Sequence, residues 1–163
     1  AKVGMGEPIL KPEHIPVIAP NSDVVHDYPL TLEDRVLNIS CVSMGNPHAI
    51  SFMDVDLNSY ELHEIGPIVE HHDMFPERVN FEIARLMDHS RIEVRVWERG
   101  SGLTQACGTG ACAVAVSARL HGFIGDHATV QLPGGDLSIN WPGQGEVFME
   151  GPVEAVFKGE WPL

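Results

Sequence analysis

Apolar and polar residues alternate along most of the chain with the two-residue period that is typical of β-strands. In Arg91–Trp97, for example, Ile92, Val94 and Val96 share one face, because successive side chains of a strand point to opposite sides. Glycine and proline turns separate such stretches. The pattern predicts eight strands: Arg35–Met44, His48–Met53, Val79–Leu86, Arg91–Trp97, Thr129–Leu132, Leu137–Asn140, Val147–Met149 and Val153–Phe157.

One segment, Gly108–His121, lacks this alternation and is predicted to be a helix. Nearly every side chain in it is small or apolar, and Gly122 follows as a residue that ends helices. A helix without a broad polar face should be buried, so this one suits the centre of a surrounding sheet. A second, broken helical pattern covers Asn58–His72, where Gly66-Pro67 is predicted to restart the helix.

The length and composition fit one globular domain. The chain has 163 residues, of which 44% are hydrophobic, and this is enough to bury a core without disulfide bonds. The proline-rich stretch Ala1–Asn21 is predicted to be irregular or to lie at a sheet edge. No apolar run approaches the roughly 18 residues of a membrane span, and Ala1–Leu10 does not resemble a signal peptide. We therefore expect a single cytoplasmic domain.

The charge balance disfavours several classes of partner. The net charge is −13, from 10 basic and 23 acidic side chains. The chain therefore lacks the basic surface that binds nucleic acid or anionic membranes. An anionic substrate would have to be bound locally, by an arginine or by a helix terminus.

The cysteines indicate neither a disulfide framework nor a metal site. The chain has three cysteines, Cys41, Cys107 and Cys112. An odd number at these spacings is not a disulfide framework and is typical of a protein of the reducing cytosol. With nine histidines they raise the question of zinc. However, no Cys-x-x-Cys pair exists, and the adjacent His71 and His72 do not readily face one ion. We therefore predict no metal site.

Cys107 stands directly before the predicted helix and is followed by Gly108-Thr109-Gly110. Free N–H groups at a helix start bind anions, and glycines let a ligand approach closely. The positive end of the helix dipole also favours a thiolate, so we expect the pKa of Cys107 to lie below its usual value of about 8.5. The segment thus offers a reactive sulfur beside a carboxylate site. From spacing alone, a buried and inert cysteine remains the alternative.

Glu98 and Arg99 follow the strand Arg91–Trp97. Glu98 has the same phase as Val96, so its carboxylate is expected to point inward, where it needs a partner. It could accept hydrogen bonds from a substrate ammonium group, and Arg99 could bind a carboxylate. A solvated turn is the alternative interpretation.

Three further polar residues stand out near predicted strand ends. Asn46 begins a turn and could simply satisfy backbone groups. Asn80 lies at the start of a strand, where an asparagine is usually structural. His48 is one of nine histidines, most of which are expected to be exposed. These residues alone do not decide between the two kinds of role.

Several motifs occur together in order, and through them the chain resembles the C-terminal half of diaminopimelate epimerase. The resemblance runs from about Met5 to Gly159, nearly the whole chain, and the Cys107 segment is its most diagnostic part. The motifs are Gly45-Asn46-Pro47-His48, Phe75–Asn80, Val96–Gly102, Thr104, Ala106–Ala113 and Leu132–Gly135.

The resemblance implies an α+β fold: a β-barrel-like, mainly antiparallel sheet of about eight strands wrapped around a central buried helix. In this family two such domains face each other across the active site, so residues 1–163 are expected to be the C-terminal domain without the N-terminal half. The family interconverts LL- and meso-diaminopimelate, a precursor of lysine and peptidoglycan. Two cysteines, one from each domain, act on opposite faces of the α-carbon, and neither pyridoxal phosphate nor a metal is needed.

The resemblance also implies roles for single residues. Cys107 becomes the catalytic cysteine of the C-terminal domain, and His48 and Glu98 match positions that tune the thiols. Phe157 matches an aromatic position associated with dimerisation, which implies a homodimer. The positions that match substrate-binding residues are Asn46, Asn80, Glu98, Arg99, Gly108 and Thr109.

The chain departs from the family pattern in two ways. The second catalytic cysteine is missing, because Cys41 falls in a predicted strand and Cys112 inside the predicted helix. Leu103 stands where the family usually carries glutamate, which puts the support of the loop near Cys107 in doubt.

Two alternatives remain open. One is a sister enzyme of the same fold, such as a proline or hydroxyproline racemase or a phenazine-pathway isomerase, although these are not expected to combine Phe75–Asn80 with Trp97–Gly102. The other is a non-catalytic half that binds an amino acid or a partner chain. Intact Cys107, Glu98 and Arg99 favour an enzyme.

Overall fold

The computed structural model of the chain describes residues 1–20 and 22–160. Over these residues it contains ten strands and two α-helices, which together make an α+β fold. The strands are β1 (Lys2–Gly4), β2 (Tyr28–Thr31), β3 (Val36–Ser43), β4 (Pro47–Phe52), β5 (Asn80–Asp88), β6 (Arg91–Glu98), β7 (Gly102–Thr104), β8 (His127–Leu132), β9 (Gly135–Asn140) and β10 (Phe148–Glu150). The helices are α1 (Leu62–Glu70) and α2 (Gly108–Leu120), and one 3₁₀ turn covers Pro12–His14.

The strands form one open, mixed sheet. Within the described residues their order is β1-β10-β9-β8-β6-β5-β4-β3-β2, and β7 pairs with β6 beside this path. Seven of the nine pairs are antiparallel, and β4–β5 and β6–β8 are parallel. The order ends at β1 and β2 without closing, so the predicted barrel-like closure is wrong, and the strands number ten rather than about eight.

The connections explain why two pairs are parallel. Parallel neighbours need a crossover that returns the chain to the same end of the sheet, and a helix usually provides it. Helix α1 lies between β4 and β5 in the chain, and α2 lies between β6 and β8. The two helices pack on opposite faces of the sheet, in separate core clusters.

Helix α2 covers one face of the sheet. Its residues Gly110–Ala118 are buried, and it contacts β3, β4, β5, β6, β8 and β9. Val94 and Val96 of β6 join its small side chains in one apolar cluster. The predicted buried helix over Gly108–His121 is therefore present, and Gly122 follows it with a φ of 73°, the left-handed conformation that favours glycine.

Helix α1 packs on the opposite face and runs through Pro67 without a break. The sequence predicted a restart at this proline, and that prediction is wrong. A proline inside a helix removes one N–H and leaves the carbonyl four residues earlier without its donor. That residue is His63, which is exposed, so water can satisfy its carbonyl. Leu62, Ile65 and Val69 still face the core.

Seven of the eight predicted strands are present, and one is wrong. Val153–Phe157 lies in a described segment without strand pairing, where Val153 is 76% exposed and Phe157 is 86% exposed. Its apolar pattern suits a strand, but a strand also needs a neighbour to bind its backbone.

The sequence missed the three short strands β1, β2 and β7. Segments of three or four residues show little period, although the three-residue β10 was located. The proline-rich stretch that contains β1 was predicted to be irregular or to lie at a sheet edge, and β1 is the strand at one end of the order. Neither of the two described helices has the length and apolarity to cross a membrane.

Candidate active site

A row of polar residues crosses the sheet where β4 and β5 begin and β6 ends. The parallel register pairs His48 of β4 with Asn80 of β5. The antiparallel register pairs Phe81 with Trp97, which brings the next residues, Asn80 and Glu98, side by side. Strand pairing thus gathers three predicted site residues that are far apart in sequence.

Cys107 caps the N-terminus of α2, which packs on the face of the sheet that carries this row. Its Sγ accepts a hydrogen bond from the Gly110 N–H at 3.4 Å and lies 3.5 Å from Thr109 Oγ1. Gly134 N–H donates to Gln105 O at 2.7 Å, which fixes the approach to the helix. Cys107 is thus placed as the sequence predicted, and it is 9% exposed.

The electrostatics of Cys107 differ from the sequence-based expectation. The pKa of Cys107 lies above its ordinary value, mainly because burial disfavours the thiolate. The carboxylates of Glu82 and Glu98 raise this pKa further, whereas the hydrogen bonds from Thr109 and the Gly110 N–H lower it. The prediction of a lowered pKa is therefore wrong: the helix start is present, but burial and acidic neighbours outweigh it.

His48 is completely buried and belongs to a chain of hydrogen bonds. Its Nδ1 lies 2.7 Å from Glu82 Oε1, and its Nε2 lies 3.0 Å from Asn46 Oδ1. Both the His48 and the Glu82 side chains are 0% exposed. His48 is therefore not one of the exposed histidines that the sequence analysis expected most of the nine to be.

Glu82 is the site residue that the sequence analysis missed. Every residue of Asn80–Ala84 is buried. Glu82 is therefore a buried charged residue on the face of β5 that packs against α2. The available signal was weak: an acidic residue in phase with Asn80, between the apolar residues Phe81 and Ile83.

Glu98 is half-buried and points inward, as its phase predicted. Its Oε1 accepts a hydrogen bond from Thr104 Oγ1 at 2.6 Å. Leu103, the departure from the family pattern, is 45% exposed and pairs through its backbone with Trp97. The β6–β7 pairing and the Thr104 contact therefore hold the segment before Cys107 without a carboxylate at position 103.

Asn80 ties the ends of two strands together. Its Nδ2 donates to Pro47 O at 2.8 Å, and its Oδ1 accepts from the Arg99 N–H at 2.9 Å. The Arg99 guanidinium donates to Glu77 O at 2.8 Å. Asn80 thus positions its neighbours, and Arg99 is held at the rim of the site.

A second acidic residue supports the turn from behind. Glu70, at the end of α1, is 3% exposed and accepts hydrogen bonds from Trp97 Nε1 at 2.7 Å and from the Gly100 N–H at 3.0 Å. Arg78 Nη1 lies 3.6 Å from the same carboxylate. Helix α1 thereby fixes both ends of the turn that carries Glu98 and Arg99.

Two features lie away from this cluster. Phe157 sits on the exposed segment near the end of the chain and makes no part of the site. His26, Asp27 and His121 place potential metal-ligand atoms within 4.8 Å of one another, but His121 ends α2 whereas Cys107 begins it. A helix of 13 residues is about 20 Å long, so these residues do not belong to the Cys107 site.

The chain is similar to known proteins over almost its whole length. A model of the diaminopimelate epimerase family matches residues 40–156. The diaminopimelate epimerase of Methanococcus maripaludis strain C6 is 49% identical over 160 residues, covering 98% of this chain and 57% of the relative. That of Acetivibrio thermocellus is 50% identical over 166 residues, covering 99% and 58%. The chain thus spans a little over half the length of these relatives.

Solved structures with low sequence identity share the fold. A hydroxyproline epimerase from Agrobacterium vitis superposes with a TM-score of 0.62 at 13% identity, over 91% of this chain and 48% of that one. A probable proline racemase from Agrobacterium radiobacter K84 gives a TM-score of 0.61 at 12% identity, over 91% and 49%. At such identities the likeness concerns the fold alone.

Proposed function

The chain belongs to the diaminopimelate epimerase family, and from this premise we propose that it forms one half of a cofactor-independent epimerase that interconverts LL- and meso-diaminopimelate. The observation that carries this proposal is the position of Cys107. Its sulfur caps a helix start on the face of the sheet that carries a row of polar residues formed by His48, Asn80 and Glu98. Such a site combines an acid–base group with binding groups for a charged amino acid.

We propose that residues 1–163 are the C-terminal domain of this enzyme, facing an N-terminal domain that carries a second cysteine. The length of the relatives supports this, since the chain covers 57% of the Methanococcus protein. The other two cysteines of the chain are poor candidates for the second base. Cys41 is 1% exposed and Cys112 is 0% exposed, and burial raises the pKa of both thiols.

The helix start binds the substrate carboxylate in this proposal. The first N–H groups of a helix have no intrahelical acceptor, and those of Gly108 and Thr109 lie in the first turn of α2. As the α-proton leaves, negative charge develops on the carboxylate. Fixed N–H donors and the helix dipole then stabilise this charge without having to reorganise.

The remaining polar residues recognise the rest of the substrate. Glu98 is half-buried, and one of its oxygens is held by Thr104, so the other can accept from an ammonium group. Arg99, fixed through its N–H to Asn80, binds a second carboxylate. Asn46 lies at the end of the His48 hydrogen-bond chain and contributes a polar contact.

The protonation state of Cys107 suits a proton donor. Because the pKa of Cys107 is raised, the free site carries a thiol at neutral pH. The thiolate of the partner cysteine removes the α-proton from one face, and the Sγ–H of Cys107 gives a proton to the other. After this step Cys107 holds the thiolate and the partner holds the thiol, so the reverse reaction follows. The two sulfurs titrate as a coupled pair.

Phe157 fits a homodimer contact. Its side chain is 86% exposed, although it is large and apolar. A second copy of the protein that covered this ring would remove apolar surface from water. We therefore retain the homodimer as part of the proposal.

The decisive test uses the full-length protein with Cys107→Ala in D₂O. One sulfur then remains, on one side of the α-carbon, so it can remove and return a proton only on that side. We expect slow deuterium incorporation into one stereoisomer with retention, and loss of inversion by several orders of magnitude. Proton NMR at the α-position, run separately on the LL and meso forms, measures both. Inversion near the wild-type rate would show that Cys107 is structural.

A further inference from the structure

A fully buried acidic residue, Glu82, lies beneath Cys107. Its side chain is 0% exposed, and its Oε1 faces His48 Nδ1 at 2.7 Å. Its other oxygen, Oε2, is buried without a hydrogen-bond partner among the described residues. A buried carboxylate with an unpaired oxygen is costly, so packing alone does not explain an acidic residue here.

Gly110 sets the distance between this carboxyl group and the thiol. A Cβ atom built on Gly110 would lie 2.8 Å from Glu82 Oε1 and 3.2 Å from Cys107 Sγ. Since both atoms are so close to one point, they are at most 6.0 Å apart. The space between them is buried, so charge on Glu82 acts on the sulfur with little screening by water.

One hydrogen bond joins Glu82 and His48. The hydrogen of the bond between His48 Nε2 and Asn46 Oδ1, an acceptor, is assigned to Nε2. The remaining proton lies between His48 Nδ1 and Glu82 Oε1. It sits either on the imidazole, which leaves a carboxylate, or on the carboxyl, which leaves both groups neutral. The pair has no net charge in either form, but only the first form places a negative charge close to Cys107.

The orphan oxygen makes the neutral form accessible. With no donor to Oε2, the anion is poorly stabilised, and burial raises the pKa of Glu82, although His48 opposes this effect. The charged and titratable groups that face Glu82 come from three elements: His48 of β4, Glu98 of β6 and Cys107 of α2. Cys41 of β3 lies on the other face of the sheet and interacts with Glu82 only through its charge. Of these, only His48 lies within hydrogen-bonding distance of the carboxylate among the described residues.

We propose that Glu82 is a positioning residue that works with His48 as a one-proton unit beneath Cys107. The unit holds the imidazole in place, and its proton moves from Nδ1 to Oε1 when Cys107 becomes a thiolate. That shift crosses one 2.7 Å hydrogen bond, changes no net charge, and takes negative charge away from the sulfur. The effect on turnover rests on the proposed epimerase function, whereas the effect on the thiol does not.

The test measures the thiol directly. The rate of Cys107 alkylation by limiting iodoacetamide, mapped by mass spectrometry over a range of pH, gives the midpoint of thiolate formation. We expect Glu82→Gln to lower this midpoint by about 1 pH unit. In the wild type the ionising thiol must either face the Glu82 carboxylate within 6.0 Å or move the shared proton onto it, and the variant carries neither cost. The matched control is Glu64→Gln on α1, whose side chain is 63% exposed and should leave the midpoint unchanged.

A second variant covers the case in which Glu82→Gln does not fold. Glu82→Leu replaces the buried carboxyl with an apolar side chain of similar volume, a change that is often tolerated. It should also lower the midpoint, and the downfield ring N–H proton of His48 should disappear from the NMR spectrum. A folded variant of either kind with an unchanged Cys107 midpoint would overturn the inference.

Turnover separates this inference from the proposed function. In the full-length protein Glu82→Gln should shift the pH–rate profile in the same direction as the alkylation midpoint and should lower kcat rather than raise KM. If the wild-type protein does not epimerise diaminopimelate but the alkylation midpoint still moves, the proposed function fails and the role of Glu82 at the thiol stands. If the wild type is active, and the variant leaves both the pH–rate profile and the alkylation midpoint unchanged, only the role of Glu82 fails.

Discussion

At the scale of single residues, burial decides how the site behaves. Cys107 and His48 are at the positions that the sequence indicated, but each is more buried than a surface motif would be. Burial raises the pKa of the Cys107 thiol despite the helix start, and it turns His48 into part of a hydrogen-bonded pair. The chemistry of both groups therefore follows from their neighbours rather than from the motif alone.

The first prediction concerns the relative reactivity of the three thiols. Cys107 should alkylate fastest, because it is 9% exposed whereas Cys41 is 1% and Cys112 is 0% exposed, and because two hydrogen bonds partly stabilise its thiolate. Its rate should be low at neutral pH and should climb as pH rises toward its raised pKa.

Mass-spectrometric mapping with a limiting alkylating reagent measures this order. In the full-length protein, bound diaminopimelate should protect Cys107 but leave the slow labelling of Cys41 and Cys112 unchanged. Faster labelling of either buried cysteine in the folded protein would contradict the assignment of Cys107 as the accessible thiol.

At the scale of elements, α1 and α2 have different tasks. Helix α2 brings Cys107 and the N–H groups of its first turn to the end of the sheet. Helix α1 lies on the other face and supports the turn after β6 through Glu70. Close contact between α1 and β6 depends on Gly66, where a Cβ atom would lie 2.5 Å from carbon atoms of the Trp97 ring.

The second prediction is that Gly66→Ala destabilises the chain. In an exposed helix interior this change would stabilise by about 1 kcal/mol. Here the methyl group meets Trp97, whose Nε1 is held by Glu70 at 2.7 Å, so the ring does not easily move away. Overpacking of this kind costs about 1–3 kcal/mol, and it should exceed the gain in helix propensity.

Urea unfolding of the isolated chain measures the effect. Gly125→Ala is the control, because a Cβ atom there would meet nothing within 4 Å, and it should change the free energy of unfolding by less than about 0.5 kcal/mol. A Gly66→Ala variant as stable as wild type would show that α1 and β6 pack less closely than described.

At the scale of the whole molecule, one sheet separates two apolar cores. The cluster around α2 holds the small side chains beneath the site, and the cluster on the other face holds α1 and the N-terminal segment. All three cysteines are free and lie in these cores. Their protonation is therefore linked to the stability of the fold.

The third prediction is that stability falls as the pH rises above about 9. Burial raises the pKa of Cys41 and of Cys107, and it raises that of Cys112 to about 12. The folded state thus keeps protons that the unfolded state loses at its ordinary value of 9.0. The stabilisation is fully present below that pH and is lost as pH climbs toward the folded values.

Urea titrations under reducing conditions at about pH 8 and about pH 10 measure the loss. Cys41→Ala should be less stable at both values, because it leaves a cavity, but its loss between the two should be smaller than that of wild type. An equal or larger loss in the variant would show that Cys41 does not carry the alkaline dependence.

The fourth prediction is that this chain alone folds but does not epimerise. A single accessible sulfur reaches only one face of the α-carbon. It therefore does not remove a proton from one face and return a proton to the opposite face. Without a partner domain to cover the site, water would also reach a bound substrate, which weakens the stabilisation of developing charge. A coupled assay for diaminopimelate interconversion, with the full-length protein as the positive control, measures this. Turnover by residues 1–163 alone would refute the two-base proposal.

The sequence by itself determined the long elements and the centre of the site. Apolar alternation located seven of the ten described strands, and the run of small residues located α2 with Cys107 at its start, because periods of two and of 3.6 residues are local properties of the chain. The phase of β6 also predicted the inward direction of Glu98. For the same reason, motif spacing sufficed to indicate the family.

Only the tertiary structure decided how these parts meet. The register of β4 and β5 brings His48 to Asn80 and Glu82 to within 2.7 Å of His48, and no local pattern encodes a pairing across 34 residues. The direction of the Cys107 pKa shift depends on burial and on two carboxylates from other strands. The predicted strand Val153–Phe157 lacked a partner, whereas β1, β2 and β7 acquired one. Pairing, burial and electrostatics are non-local, so the sequence pattern indicated most of the candidate site residues, whereas the fold added Glu82 and decided how these residues interact.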